Sequence, residues 1–79
     1  MRVLLVEDSV DVAHAISAHL VRLGHTVDWE ADGTKAAAMV VADHYDLIVL
    51  DVMLPGLDGY ALLQRVRNVP LRTQVLMLT

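Results

Sequence analysis

The sequence predicts an α/β fold built on a parallel sheet, and two observations support that prediction. Aliphatic runs at 2–6, 47–50 and 74–78 are short and continuous, which is typical of strands buried on both faces of a parallel sheet. Segments with apolar residues at helical spacing separate these runs, so strands and helices alternate along the 79 residues. The predicted order is β-α-β-α-β-α-β in one domain covering 1–79, with right-handed crossovers.

The first predicted strand, 2–6, ends at Glu7 and Asp8, and Asp8 or Ser9 then offers the N-cap of a helix. Gly24 ends this helix, because glycine readily adopts the backbone conformation found just beyond a helix C-terminus. The apolar stripe predicted for the helix consists of Val12, Ile16, Leu20 and Leu23.

The remaining elements follow in the same alternation. Residues 25–30 switch between apolar and polar, which indicates an edge strand with one wetter face. An alanine-rich segment at 34–42 predicts the second helix, and 47–50 is the second buried strand. Asp58 can cap a third helix over 59–67, after which the aliphatic run near the end of the chain is predicted as the third buried strand.

Composition and charge narrow the functional classes. The chain has 6 basic and 10 acidic residues, a net charge of −4, which argues against nucleic-acid binding by this segment. It has no cysteine, which excludes disulfides and cysteine-based zinc sites. No apolar run reaches the roughly 18 residues of a membrane span and no signal-peptide pattern is visible, so we expect a soluble, cytoplasmic protein with no membrane partner.

Acidic residues follow two of the predicted buried strands. Glu7 and Asp8 come after the first, and Asp51 comes directly after 47–50. Because ligands bind at the carboxyl ends of the strands in open parallel sheets, we expect these carboxylates to converge. Two like charges about 4–5 Å apart repel by roughly 3–4 kcal/mol at an effective dielectric near 20, against a total stability of about 5–15 kcal/mol. A bound cation relieves that repulsion, and three oxygen ligands suit Mg²⁺ or another hard divalent ion. Asp51 can then act as a nucleophile on phosphorus.

Three segments of the sequence resemble the receiver domain of two-component response regulators. They are "VLLVEDS" at 3–9, "LIVLDVMLPGLDG" at 47–59 and "VLMLT" at 75–79, in the family's order and spacing. The resemblance implies a flavodoxin-like (CheY-like) doubly wound sheet with strand order 2-1-3-4. It most resembles receivers that precede a C-terminal winged-helix DNA-binding domain, so it implies transcription regulation.

The resemblance also implies roles for individual residues. Asp51 would be the phosphoacceptor for a sensor histidine kinase and a ligand of Mg²⁺ (or Mn²⁺). Asp8 would bind the metal directly, Glu7 through water, and Met53 through its backbone carbonyl. Thr79 would be the switch residue whose hydroxyl bonds the phosphoryl group. The kinase-docking surface would include the helix residues Asp11, Val12, His14 and Ala15.

A complete receiver has five strands and five helices, whereas these residues account for four strands and three helices. We therefore expect the N-terminal two-thirds of a receiver, with the fourth helix, fifth strand and fifth helix missing through truncation or partial observation. The strand at 74–78 would then have an unpaired apolar edge, through which we expect a homodimer.

Other functions are weaker alternatives. The first is a Mg²⁺-dependent phosphatase with an aspartyl nucleophile, but such enzymes place a second Asp two residues later, where this chain has Met53. A dinucleotide-binding fold needs a glycine-rich turn after the first strand, and this chain has none there. A third alternative is a phosphorylation-independent interaction or dimerisation module. Trp29 and the four histidines are interpreted as packing or surface residues rather than ligands.

Overall fold

The structure is a computed structural model, and it describes residues 1–51, 59–67 and 73–78. The strands in these ranges are β1 (Arg2–Val6), β2 (Thr26–Glu30), β3 (Leu47–Asp51) and β4 (Gln74–Leu78). The helices are α1 (Val10–Arg22), α2 (Gly33–Ala42) and α3 (Gly59–Arg67). The element order is the predicted one, and β3 extends one residue past its predicted end to include Asp51. The predicted cap Asp58 lies outside the described residues.

The described strands form one parallel sheet in the order β2-β1-β3-β4. This confirms the predicted 2-1-3-4 order of a doubly wound sheet. The two central strands are in register so that Val6 lies opposite Leu50. Glu7 and Asp51, the residues that follow this pair, are therefore placed next to each other at the carboxyl edge of the sheet.

Helices cover both faces of the sheet, and each face has its own core. Residues of β1 alternate between the two cores, because successive side chains of a strand point to opposite faces. The core on the α2 and α3 side contains Leu4, Val6, Ala36, Ala37, Val40, Tyr45, Ile48, Leu50 and Leu62. The core on the α1 side contains Val3, Leu5, Ala13 and Val49, with Ile16, Leu20, Val27, Leu47 and Leu78 packed against it.

The buried face of α1 differs from the predicted stripe. Ala13 is fully buried, whereas Val12 is 42% exposed and Leu23 is 61% exposed. Helical periodicity fits Ala13 as well as Val12, since both lie one turn before Ile16, and the small Ala13 side chain allows the helix to approach the sheet closely. Leu23 is the C-cap residue, and Gly24 follows it with φ +94, a conformation that favours glycine.

Strand β4 is not buried on both faces as its aliphatic sequence predicts. Gln74 and Leu76 are exposed, and Val75, Met77 and Leu78 are half-buried. The reason is that the described elements cover its faces incompletely: Val75 and Met77 pack against one core and Leu78 against the other, while Leu76 stays 53% exposed. An aliphatic run indicates a strand, but it does not indicate how many faces the described elements cover.

A polar network joins the strands at the end of the sheet where β1 begins. Arg2 Nη2 lies 3.2 Å from Asp28 Oδ2, and Arg2 Nη1 lies 3.4 Å from Asp43 Oδ1. The guanidinium also stacks 4.8 Å from the ring centroid of Tyr45, a cation–π contact. The backbone N–H of Arg2 donates to Asp46 Oδ2 at 2.8 Å. No helix in the described residues is long and apolar enough to cross a membrane.

Candidate metal centre

Glu7, Asp8 and Asp51 form an acidic cluster at the carboxyl edge of the sheet. Each of the three carboxylates offers one oxygen, and these oxygens lie within 4.8 Å of one another. Glu7 is buried, Asp51 is half-buried and Asp8 is exposed, so the cluster opens to solvent on the Asp8 side. The convergence expected from the sequence is confirmed for these three residues. Its cause is the pairing of β1 with β3.

Glu7 is held by hydrogen bonds on its main chain and its side chain. Its backbone N–H donates to the carbonyl of Glu30 at 3.1 Å, which extends the contact between β1 and β2 by one residue. Its carboxylate Oε1 accepts from the backbone N–H of Ser9 at 3.1 Å. Its carbonyl oxygen accepts from the indole Nε1 of Trp29 at 2.8 Å. At 5% exposure, the Glu7 side chain has little contact with water.

Helix α1 begins beside this cluster. Ser9 is its N-cap, with extended backbone angles, and the Ser9 hydroxyl accepts from the backbone N–H of Val12 at 3.4 Å. The four residues predicted to dock a kinase all lie on the exposed surface of the first turns: Asp11, Val12, His14 and Ala15. Their exposure is compatible with docking, and their role stays a prediction.

The electrostatics of the cluster favour a cation. Burial raises the pKa of the Glu7 carboxyl above its ordinary 4.5, and the neighbouring carboxylates of Asp51 and Asp8 raise it further. The hydrogen bond from the Ser9 N–H acts in the opposite direction and lowers that pKa. Ionisation of Glu7 is therefore opposed first by burial and then by the two nearby carboxylates, whose oxygens lie within 4.8 Å of its own. A positive charge between the carboxylates would remove their repulsion.

The donor set fits a hard divalent ion. All three side chains offer carboxylate oxygens, which Mg²⁺ and Mn²⁺ prefer over nitrogen or sulfur donors. The cluster is open at Asp8, which leaves room for the several waters that Mg²⁺ usually keeps. Met53 and Thr79, the predicted carbonyl ligand and switch residue, lie outside the described residues.

Trp29 contacts this site, which its sequence pattern does not predict. The pattern indicates a packing residue of an edge strand, and the Trp29 ring does pack at an edge-on angle of 72° against His14, with centroids 5.7 Å apart. Its bond to Glu7 depends on the register of β2 against β1, which places Trp29 opposite Leu5. The alternating pattern of 25–30 contains no information about that register.

The fold and this site together define a doubly wound α/β domain with an acidic, metal-type cluster at the carboxyl ends of its central strands. Residues 3–79 match the family of response regulator receiver domains. The chain therefore belongs to the receiver domain family of two-component response regulators, which are generally signalling modules rather than enzymes.

Relatives with curated descriptions are transcriptional response regulators. The chain is 47% identical over 79 residues to the transcriptional regulatory protein TcrA of Mycobacterium tuberculosis, covering 100% of this chain and 31% of that protein. It is 43% identical over 79 residues to the response regulator protein PmrA of Pseudomonas aeruginosa, covering 100% of this chain and 36% of that protein. The chain thus spans about a third of the length of these relatives.

Solved receiver domains share the fold of this chain at 32% and 36% sequence identity in two examples. The receiver domain of the sensor histidine kinase PA1611 from Pseudomonas aeruginosa PAO1 matches with a TM-score of 0.94 and 36% identity, covering 99% of this chain and 66% of that one. That structure has a magnesium ion coordinated in its active-site cleft. The receiver domain of the Francisella response regulator 1452 matches with a TM-score of 0.90 and 32% identity, covering 96% of this chain and 63% of that one.

Proposed function

We propose that this chain is the phosphoacceptor module of a two-component system, with Asp51 as the residue that receives the phosphoryl group. The observation that supports this most directly is the grouping of the Glu7, Asp8 and Asp51 oxygens within 4.8 Å at the ends of β1 and β3. Membership of the receiver family supports the same role. The donor would be the phosphohistidine of a sensor histidine kinase in the cytoplasm.

The chemistry is a transfer between two residues. A carboxylate oxygen of Asp51 attacks the phosphorus, a new O–P bond forms, and the P–N bond to the donor histidine breaks. The product is an acyl phosphate on Asp51, and the leaving imidazole nitrogen takes the electron pair of the broken bond. Helix α1 begins beside the reacting carboxylate, so the kinase would approach over its exposed first turns, which carry Asp11, Val12, His14 and Ala15.

The other cluster residues bind and orient. Asp8 would hold Mg²⁺ (or Mn²⁺) directly and Glu7 through water, with the Met53 carbonyl as a third protein ligand. The ion, when bound, neutralises charge on the transferring group. The hydroxyl of Thr79 would donate a hydrogen bond to the phosphoryl oxygens and so bias the domain towards its active conformation. Thr79→Ala would then allow phosphorylation but not the conformational response.

Phosphorylation of Asp51 can be tested with a small-molecule donor. The full-length protein, incubated with acetyl phosphate and Mg²⁺, is expected to gain one phosphoryl group in its intact mass. Hydroxylamine should remove that group, because it cleaves acyl phosphates. Asp51→Asn should abolish the gain, whereas Asp43→Asn, on an exposed carboxylate at the other end of the sheet, should not. Equal phosphorylation of the Asp51→Asn protein would refute the proposal.

The output of the full-length protein is proposed to be transcription regulation by a C-terminal DNA-binding domain. The curated relatives TcrA and DltR are transcriptional regulatory proteins, and this chain covers 31% and 35% of their lengths. The net charge of −4 supports the proposal that DNA binding belongs to another part of such a protein.

A second candidate function is homodimerisation through β4 without phosphorylation. In the described part of the sheet, β4 has a hydrogen-bonded neighbour on one side, and Leu76 on this strand is 53% exposed. An edge of this kind can pair with a second copy of the chain. Sedimentation velocity on a protein limited to 1–79 should show concentration-dependent dimers, and Leu76→Lys should weaken them. A monomer at all concentrations would contradict this function.

A further inference from the structure

The sole tryptophan of the chain is hydrogen-bonded to the candidate metal centre, although it lies on the outer strand β2. The indole Nε1 of Trp29 donates to the carbonyl oxygen of Glu7 at 2.8 Å. That carbonyl belongs to the peptide unit that joins Glu7 to Asp8. The bond therefore acts on the backbone between two of the three acidic residues.

Two other hydrogen bonds fix neighbouring parts of this segment but not that peptide plane. The Glu7 N–H donates to the carbonyl of Glu30 at 3.1 Å and fixes the end of β1. The Ser9 N–H donates to the Glu7 carboxylate at 3.1 Å and fixes the side chain. A rotation about the Glu7 Cα–C bond would turn the Glu7 carbonyl away from the indole, and it would move both the Asp8 carboxylate and Ser9, so the Ser9 bond resists it only indirectly. The Trp29 bond opposes that rotation.

The indole is itself held in position from the other side. The His14 ring packs edge-on against it, with ring centroids 5.7 Å apart. His14 lies on α1, whose N-cap Ser9 is part of the same acidic segment. Trp29 as a whole is 38% exposed. Its N–H bonds to a backbone carbonyl of the site at 2.8 Å.

We infer that Trp29 is a positioning residue of the metal centre, which sets the orientation of the Glu7–Asp8 peptide and so the placement of the Asp8 carboxylate for a divalent ion. This inference rests on the proposed function of the acidic cluster. Trp29 touches neither the ion nor the phosphoryl group, and it acts through the backbone. Partners that orient metal ligands in this way commonly change metal affinity when they are lost.

Calorimetric titration of the full-length protein with Mg²⁺ tests this role. Trp29→Phe keeps an aromatic ring against His14 but removes the N–H donor. It is expected to raise the dissociation constant for Mg²⁺ about threefold to tenfold, the effect of losing one hydrogen bond. The matched control is Val27→Ala, which removes packing on the same strand and the same face of the sheet. It should lower the melting temperature yet leave Mg²⁺ affinity within about twofold of wild type.

A spectroscopic measurement on the unmodified protein gives a second test. The indole ¹H–¹⁵N resonance of Trp29 is assigned by its disappearance in Trp29→Phe. It is expected to move when Mg²⁺ is added to wild type and to stay in place in Asp8→Asn. This readout follows the indole N–H in the unmodified protein, so it does not depend on the stability of a Trp29 variant.

The outcomes separate this inference from the proposed function. If wild type binds no Mg²⁺, the metal centre itself is refuted. If wild type binds Mg²⁺ while Trp29→Phe binds equally well and the indole resonance does not move, the positioning role is refuted and the metal centre stands. An equal loss of affinity in Val27→Ala would also refute positioning, because it would assign the effect to general packing.

Discussion

Tyr45 donates its phenolic hydrogen to Asp28 Oδ2 at 2.8 Å, and so joins the segment before β3 to the outer strand β2. The Tyr45 side chain is almost fully buried at 1% exposure, and Asp28 also accepts from Arg2. Thr73 donates to the Tyr45 carbonyl, which ties the start of β4 to the same residue. Tyr45 therefore connects β2 and β4 at the end of the sheet away from the acidic cluster.

The first prediction concerns this tyrosine. Tyr45→Phe keeps the buried ring and removes the hydrogen bond, so unfolding in denaturant should cost about 1 kcal/mol less than in wild type. Mg²⁺ affinity should be unchanged, because the substitution is at the opposite end of the sheet. A loss of Mg²⁺ binding at unchanged stability would contradict this separation.

A second prediction concerns the stability contribution of Tyr45 at alkaline pH. Burial, followed by the bond to Asp28, raises the pKa of Tyr45 from 10.0 to about 12. The folded protein therefore retains the phenolic proton more strongly than the unfolded chain does. The contribution of protonated Tyr45 to the free energy of unfolding is full below pH 10.0 and is lost as the pH rises through about 12. The stability difference between wild type and Tyr45→Phe should narrow across that interval. A constant difference in denaturation curves would refute the assignment.

A third prediction concerns Glu7 without metal. Its pKa is raised above 4.5 in the folded state, so its contribution to stability is full below pH 4.5 and is lost as the pH rises through the folded-state pKa. At neutral pH in EDTA, Glu7→Gln should therefore be more stable than wild type, because the variant has no charge to bury. Saturating Mg²⁺ should reverse that order, since the Glu7 carboxylate attracts the ion more strongly than the neutral amide of the variant does. Thermal melts with and without Mg²⁺ measure both effects.

Metal binding should also stabilise the wild-type fold directly. Mg²⁺ at about 100 times its dissociation constant should add about 2.7 kcal/mol, because the unfolded chain has no assembled cluster. Asp8→Asn removes one ligand and should reduce this gain to a small fraction at the same Mg²⁺ concentration. Samples treated with EDTA give the free energy of unfolding without metal. An equal gain in wild type and Asp8→Asn would place the ion elsewhere.

Two adjacent valines on α2 test the packing of the larger core. Val40 is 3% exposed and lies in the core, whereas Val41 is 70% exposed. Val40→Ala should cost about 2 kcal/mol through lost burial and the cavity left behind, and Val41→Ala should cost less than about 0.5 kcal/mol. The helix propensity change is the same in both, so the difference isolates burial. Similar losses would mean that α2 is rotated relative to the structure.

The fold could be predicted from the sequence to the level of element order, strand order and the meeting of the acidic residues. Those features depend on continuous aliphatic runs that end in acids, and such runs have few alternative arrangements in an α/β domain. The phase of α1 was not predictable in the same way, because Val12 and Ala13 both fit helical spacing and side-chain size decided between them. The bond from Trp29 to Glu7 depends on a strand register that composition does not encode. The roles of Met53 and Thr79 stay predictions.

The alternation of β1 between the two cores makes the acidic cluster sensitive to the length of this strand. Val3 and Leu5 serve one core while Leu4 and Val6 serve the other. A slip of this strand by a single residue would exchange the two sets and damage both cores at once. The same slip would put Asp8 where Glu7 now stands. Substitutions that change the volume of these side chains are therefore expected to disturb the acidic cluster less than an insertion or deletion within β1.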